Sequence, residues 1–171
     1  TLDIPAPSLA SEAALIYEKL RGSQEAQVSV HGVNWEAQTF TPGANHSVNR
    51  IGLKTRRYGS PGTLTVSIRA TTDGLPSGAD LTSGTFDTGV LINEGVDYWI
   101  WISVTSYALT AGTIYAIVVR ATDGDVDNYC QWRCDQTSPP YTGGARCYSP
   151  DSGGSWTEDT TVDYMFEEGV A

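Results

Sequence analysis

Leu64-Thr65-Val66-Ser67-Ile68-Arg69 places an apolar side chain at every second position. Successive strand side chains point to opposite faces, so this spacing buries one face and wets the other. The same grammar recurs on both sides, with alternating runs separated by turns such as Gly59-Ser60-Pro61-Gly62 and Asp73-Gly74-Leu75-Pro76-Ser77-Gly78. Strands are expected at 27–31, 36–40, 47–58, 63–70, 81–86, 89–92, 97–105, 113–121, 129–134, 146–149 and 161–167. Many short strands without intervening helices predict an all-β fold: an antiparallel, jelly-roll-like β-sandwich. A length of 171 residues fits one such domain.

Residues 1–25 read differently. Ile4-Pro5-Ala6-Pro7 is an extended leader, and Ser8 is placed to cap a short α-helix whose apolar positions Leu9, Ala13, Ile16, Tyr17 and Leu20 share one face before Gly22. A helix of about 13 residues is marginal alone, so its stripe must pack on its own sheet or on a neighbouring subunit. The chain therefore divides into an N-terminal extension, 1–25, and a sandwich domain, 26–171.

Twenty Asp and Glu against ten Lys and Arg give a formal charge of −10, which opposes attraction to nucleic acid or to anionic membranes. No apolar stretch reaches the roughly 20 residues that cross a bilayer, and the N-terminus lacks a basic and then apolar signal plan. Insertion into a membrane is not expected. Nor is catalysis: His31 and His46 lie in no nucleophile motif, no Gly-rich loop leads from a strand into a helix, and the many acids read as surface charge.

Three cysteines leave at least one unpaired within a monomer. Cys130 and Cys134 on one strand face would lie about 13 Å apart at ~3.3 Å per residue, too far for a bond. An antiparallel hairpin around 138–144 would instead set Cys134 opposite Cys147 and permit a disulfide there, with buried free thiols as the alternative.

Four constellations stand out. In Asp123-Gly124-Asp125-Val126-Asp127-Asn128, alternate carboxylates Asp123, Asp125 and Asp127 fit either a solvated loop tip or a structural Ca²⁺ site, although not an EF-hand. Trp99 and Trp101 fall on one face of a strand whose other face carries Ile100, Ile102 and Val104. Side-by-side indoles stack on sugars, anchor subunit contacts or lie buried. Arg50, Lys54, Arg56, Arg57 and Arg69 hold half of the basic residues within 20 positions. Arg50, Lys54 and Arg56 share a face that Arg69 would extend across the hairpin, so a cationic stripe would meet the acidic remainder of a second copy. Asn45-His46-Ser47 is a glycosylation sequon.

Several stretches carry a resemblance: Ala37-Gln38-Thr39-Phe40-Thr41-Pro42, Gly59 to Arg69, Asp73-Gly74-Leu75-Pro76-Ser77-Gly78 and Leu109 to Val119. Together they resemble a choice-of-anchor R type of β-sandwich module, known from phage, archaeal and metagenomic surface proteins. The resemblance spans 36–168, leaving the N-terminal segment outside it, and the three cysteines are not part of its pattern. It implies a non-catalytic domain outside the cell or on a virion. The expectation is thus a structural subunit of a capsid decoration, tail or extracellular filament. Such a subunit would assemble with its own copies or with other proteins of the particle through Leu9, Ile16, Tyr17, Leu20 and the charged faces. The alternative is a carbohydrate-binding module using Trp99 and Trp101.

Overall fold

A computed structural model of the chain describes residues 15–22, 26–92, 94–136 and 141–171. Among them the strands are β1 (Leu15–Leu20), β2 (Ala26–Val30), β3 (Trp35–Phe40), β4 (His46–Tyr58), β5 (Thr63–Thr72), β6 (Leu75–Asp87), β7 (Tyr98–Leu109), β8 (Tyr115–Arg120), β9 (Tyr129–Asp135), β10 (Arg146–Ser149), β11 (Thr157–Asp159), β12 (Asp163–Tyr164) and β13 (Phe166–Val170). They form two antiparallel sheets packed face to face, the expected all-β sandwich. The smaller sheet runs β11-β10-β3-β8-β5-β6. In the larger, β4 pairs with β7 along one edge and with β13 and then β9 along the other, while β1 extends β13 and β2 extends β9. Connections such as β3 to β4, β4 to β5, β6 to β7, β7 to β8 and β8 to β9 pass from one sheet to the other, as in a jelly roll.

The alternation that predicts β5 also builds the core. Leu64, Val66 and Ile68 point inward to meet Ile51, Leu53 and Ile102 of the facing sheet. At one seam the sheets nearly touch. The Thr82 hydroxyl donates to the Thr105 carbonyl at 2.6 Å, and a Cβ added to Gly84 would sit 2.1 Å from the Ser103 carbonyl oxygen, so only glycine fits there. Part of the interior is polar. Arg146 donates to both carboxylate oxygens of Glu36 at 3.0 and 3.1 Å, and the Tyr164 hydroxyl donates to Glu36 at 2.7 Å. Gln38 donates to Asp163 at 2.8 Å and accepts from the Tyr164 amide at 2.7 Å. Such buried groups are tolerated because each meets a partner.

β9 and β4 diverge after pairing at Thr55↔Trp132, and the chain fills the fork they open. β12 runs antiparallel to β9 and β13 antiparallel to β4, so the chain folds back at Met165. The Met165 amide donates to the Arg133 carbonyl at 2.9 Å, and its own carbonyl accepts the Trp132 indole N–H at 2.8 Å. Trp132 also stacks on Tyr164 at 4.1 Å between ring centroids.

Four expectations are corrected. Residues 15–20 are a strand, not the end of a helix; residues 8–14, with Leu9, lie outside the described residues. β13 offers a ladder of backbone partners and buries Leu20 opposite Phe166, which a marginal helix could not match. A bulge between Ile16 and Glu18 shifts the alternation. The stretch 89–92 is not a strand, because a 3₁₀ turn at Thr88–Val90 begins the crossing to β7. Cys134 and Cys147 are not bonded. Cys134 lies in β9 opposite Ala26 and Tyr164, whereas Cys147 lies in β10 of the other sheet, opposite Ala37 and Glu158. Strands β9 and β10 belong to different sheets and so are not partners in a hairpin, and all three cysteines are buried free thiols. Finally, Arg69 belongs to the smaller sheet, where it pairs with Asp80 at 2.7 Å, so it does not extend the β4 stripe.

Candidate functional site

The outer face of the larger sheet assembles from rows that cross the strands. Residues paired across antiparallel strands share a face, so Lys19, Glu167, Gly52 and Trp101 form one outward row over β1, β13, β4 and β7. Lys54 and Trp99 pair in the row beyond Leu53 and Ile100, which point inward. The two indoles stand with centroids 6.3 Å apart and planes 23° from parallel, both half-buried.

Gly52 seats Trp101. A Cβ at Gly52 would lie 2.5 Å from Cζ3 and 2.8 Å from both Cε3 and Cη2, which places it directly above the ring rather than at its edge. The Arg50 guanidinium carbon lies 3.7 Å from the Trp101 ring centroid, close enough to require stacking on a flat face. Backbone at Gly52 occupies the inner face, so Arg50 takes the outer one. Arg21 lies over Trp99 at 4.7 Å and bonds through Nε to Glu167, whose other carboxylate oxygen has no hydrogen-bond partner among the described residues. A cavity of about 190 Å³ opens between Arg21, Gly22, Lys54, Trp99 and Met165.

Ion pairing divides the predicted stripe. Arg56 reaches Asp97 at 2.7 Å, whereas Arg50, Lys54 and Lys19 enter no ion pair among the described residues. The stripe is therefore partly neutralised locally and partly left open: Arg50 covers Trp101 and Lys54 pairs with Trp99, while Lys19 stands on β1 with β13 and β4 between it and Trp101.

The N-terminal positions divide between core and surface, Leu20 being buried and Tyr17 exposed. Leu20 is in the core, Ile16 is half-buried, and Tyr17 stacks on His46 at 3.8 Å. Below Tyr17, His46 Nδ1 lies 2.9 Å from the Ala44 carbonyl, which can only accept, and Nε2 lies 2.9 Å from both oxygens of Glu168. Burial raises the Glu168 carboxyl above the usual carboxylate range, His46 opposes that rise, and Glu18 adds to it. Neither this pair nor the glycine seat under Trp101 was visible in the pattern of residues, since the first depends on β13 lying beside β4 and the second on the register between β4 and β7.

At the β8–β9 loop the three aspartates do not converge, and among the described residues no group of three His, Cys, Asp or Glu is placed to hold a metal ion. Asp125 Oδ1 instead accepts the Asp127 amide at 2.8 Å and both the amide and side-chain N–H of Asn128 at 2.9 Å. These bonds, the Asn128 side chain first, hold Asp125 below the usual carboxylate range. Asn45 is exposed, with its side-chain oxygen accepting the Ala111 amide at 2.8 Å. No helix among the described residues is long and apolar enough to cross a membrane.

The class that these features define is an antiparallel β-sandwich bearing an indole–guanidinium face. The chain matches no family model and no curated protein sequence.

Proposed function

We propose that the protein is a non-catalytic structural subunit of a virion, as a capsid decoration or tail component, or of an extracellular filament. The observation that carries this reading is the outer face of the larger sheet. Two half-buried indoles are held by guanidinium groups on a rigid strand base, with Lys19, Arg50 and Lys54 in no ion pair among the described residues, on a chain of charge −10. Tryptophan and arginine are the residues that anchor protein interfaces, and a cationic patch on an acidic body selects an acidic partner surface. A sugar-binding role is less well supported, because a sugar ring stacking on Trp101 would have to displace Arg50.

Sedimentation velocity with electron microscopy tests the reading. The expected result is particles or polymers of the wild-type chain, dispersed by Lys54→Glu. A monomer at every concentration would sink it. Glycan binding abolished by Trp99→Ala in a chain that stays monomeric would favour carbohydrate recognition instead.

A further inference from the structure

Several turns of the two sheets meet at one end of the sandwich. Gly62 accepts from the Thr88 amide and hydroxyl, Gly59 donates to Glu94 at 2.8 Å, and Ser60 donates to Asn128 at 2.8 Å. The turn between β2 and β3 joins them through Gly32, which donates to the Ala121 carbonyl at 2.8 Å. The turns at this end carry the exposed aliphatic side chains Val33, Val90, Ile92, Val96 and Val126; Ile92 is 77% and Val126 74% exposed. Single exposed aliphatics are ordinary on a protein surface, but a group of them at one end marks a contact site. Exposed carboxylates of Asp87, Glu94, Asp123 and Asp127 stand among them.

We infer that this aliphatic, carboxylate-rimmed end of one copy seats on the Trp99–Trp101 face of a second copy. The inference rests on the assembly reading above and names its contact. Charge selects the occupant: two chains of net charge −10 repel except where carboxylates meet cations, and Arg50 and Lys54, which enter no ion pair among the described residues, flank the indoles. The aliphatic side chains supply the apolar contact that the indoles need. The loop end and the sheet face are different surfaces of one molecule, so each copy can hold a neighbour at both. A contact between unlike surfaces repeats into a ring or a filament.

Two blocked variants test it. Ile92→Lys with Val126→Lys spoils the loop end, and Lys54→Glu spoils the face; the loop substitutions fall on highly exposed side chains, and circular dichroism checks each fold. Each variant alone is expected to sediment as a monomer under conditions in which the wild type polymerises. An equimolar mixture is expected to form a one-to-one dimer and nothing larger, because one intact loop end then meets one intact face. Val126→Lys alone repeats the loop-end arm with a single change. Wild-type polymers with a loop-end variant that polymerises equally well would overturn this contact while leaving the assembly reading in place. Blocked variants that fail to pair when mixed would also overturn it, and a wild type that never polymerises would remove both.

Discussion

Substituting Gly52 by alanine tests the seating of Trp101 directly. The added Cβ would fall 2.5–2.8 Å from three ring carbons, so the indole must lift away from the sheet. Forcing an extra carbon into a filled contact costs about 1–3 kcal/mol. Losing the Arg50 stack adds about 0.5–1 kcal/mol at a partly exposed site. Alanine also narrows the unfolded ensemble, which returns about 0.4–1 kcal/mol where the backbone tolerates it, and Gly52 has no left-handed conformation to forbid this. The steric effect wins, leaving a net destabilisation of about 0.5–3.5 kcal/mol. Urea unfolding should show a lower midpoint with an unchanged slope, together with a red shift of tryptophan emission as Trp101 gains solvent. A midpoint equal to or above that of the wild type, with unaltered emission, would refute the face-on packing.

Other measurements address the remaining features. Burial pushes the thiols of Cys130 and Cys147 up to about 12 and that of Cys134 to about 11, so none should react with a thiol reagent at neutral pH until the protein unfolds. Rapid labelling of the native protein would contradict their placement. At Asp80, burial works to raise the carboxyl, but hydrogen bonds from Arg120, Arg69 and Ser67 outweigh it and hold the group at about 2. Its stabilisation is therefore complete above about pH 4, where the unfolded carboxylate is ionised, and is lost as pH falls toward about 2. Asp80→Asn should lower the urea midpoint at neutral pH, with the gap to wild type closing on acidification; parallel curves would count against the ion pairs. Since Asp125 turns one oxygen onto three N–H groups of its own loop, added Ca²⁺ or EDTA should leave the Tm unchanged, and a shift of several degrees would restore the ion.

Local periodicity was enough to read the layers of the sandwich and the split within β7, where Ile100, Ile102 and Val104 face the core and Trp99 with Trp101 face outward. It failed where a distant strand decides. Residues 15–20 carry apolar side chains at spacings that serve a helix or a bulged strand, and only the free edge of β13 selects the strand. Arg69 lies in an alternating run close in sequence to β4, but the chain crosses layers at Gly59 to Gly62, which sends it to the other sheet. Alternate aspartates at 123, 125 and 127 suit a chelate or a hydrogen-bonded turn equally, and the pattern does not disclose that Asp125 accepts N–H groups of its own loop. The aliphatic loop end was missed because its members come from separate turns, none with a pattern of its own.

The fold-back at Met165 has a consequence for biosynthesis. Residues that close the larger sheet are translated after the other described strands, and β1, made first among them, has no ladder to join until β13 leaves the ribosome. A nascent chain ending at residue 162 would hold β4 and β9 splayed, with Trp132 lacking its acceptor and the edge of β4 bare. Such edges recruit other chains, so growing polypeptides on a crowded polysome are exposed to one another until β13 has joined β4, and chaperone demand should be high up to that point.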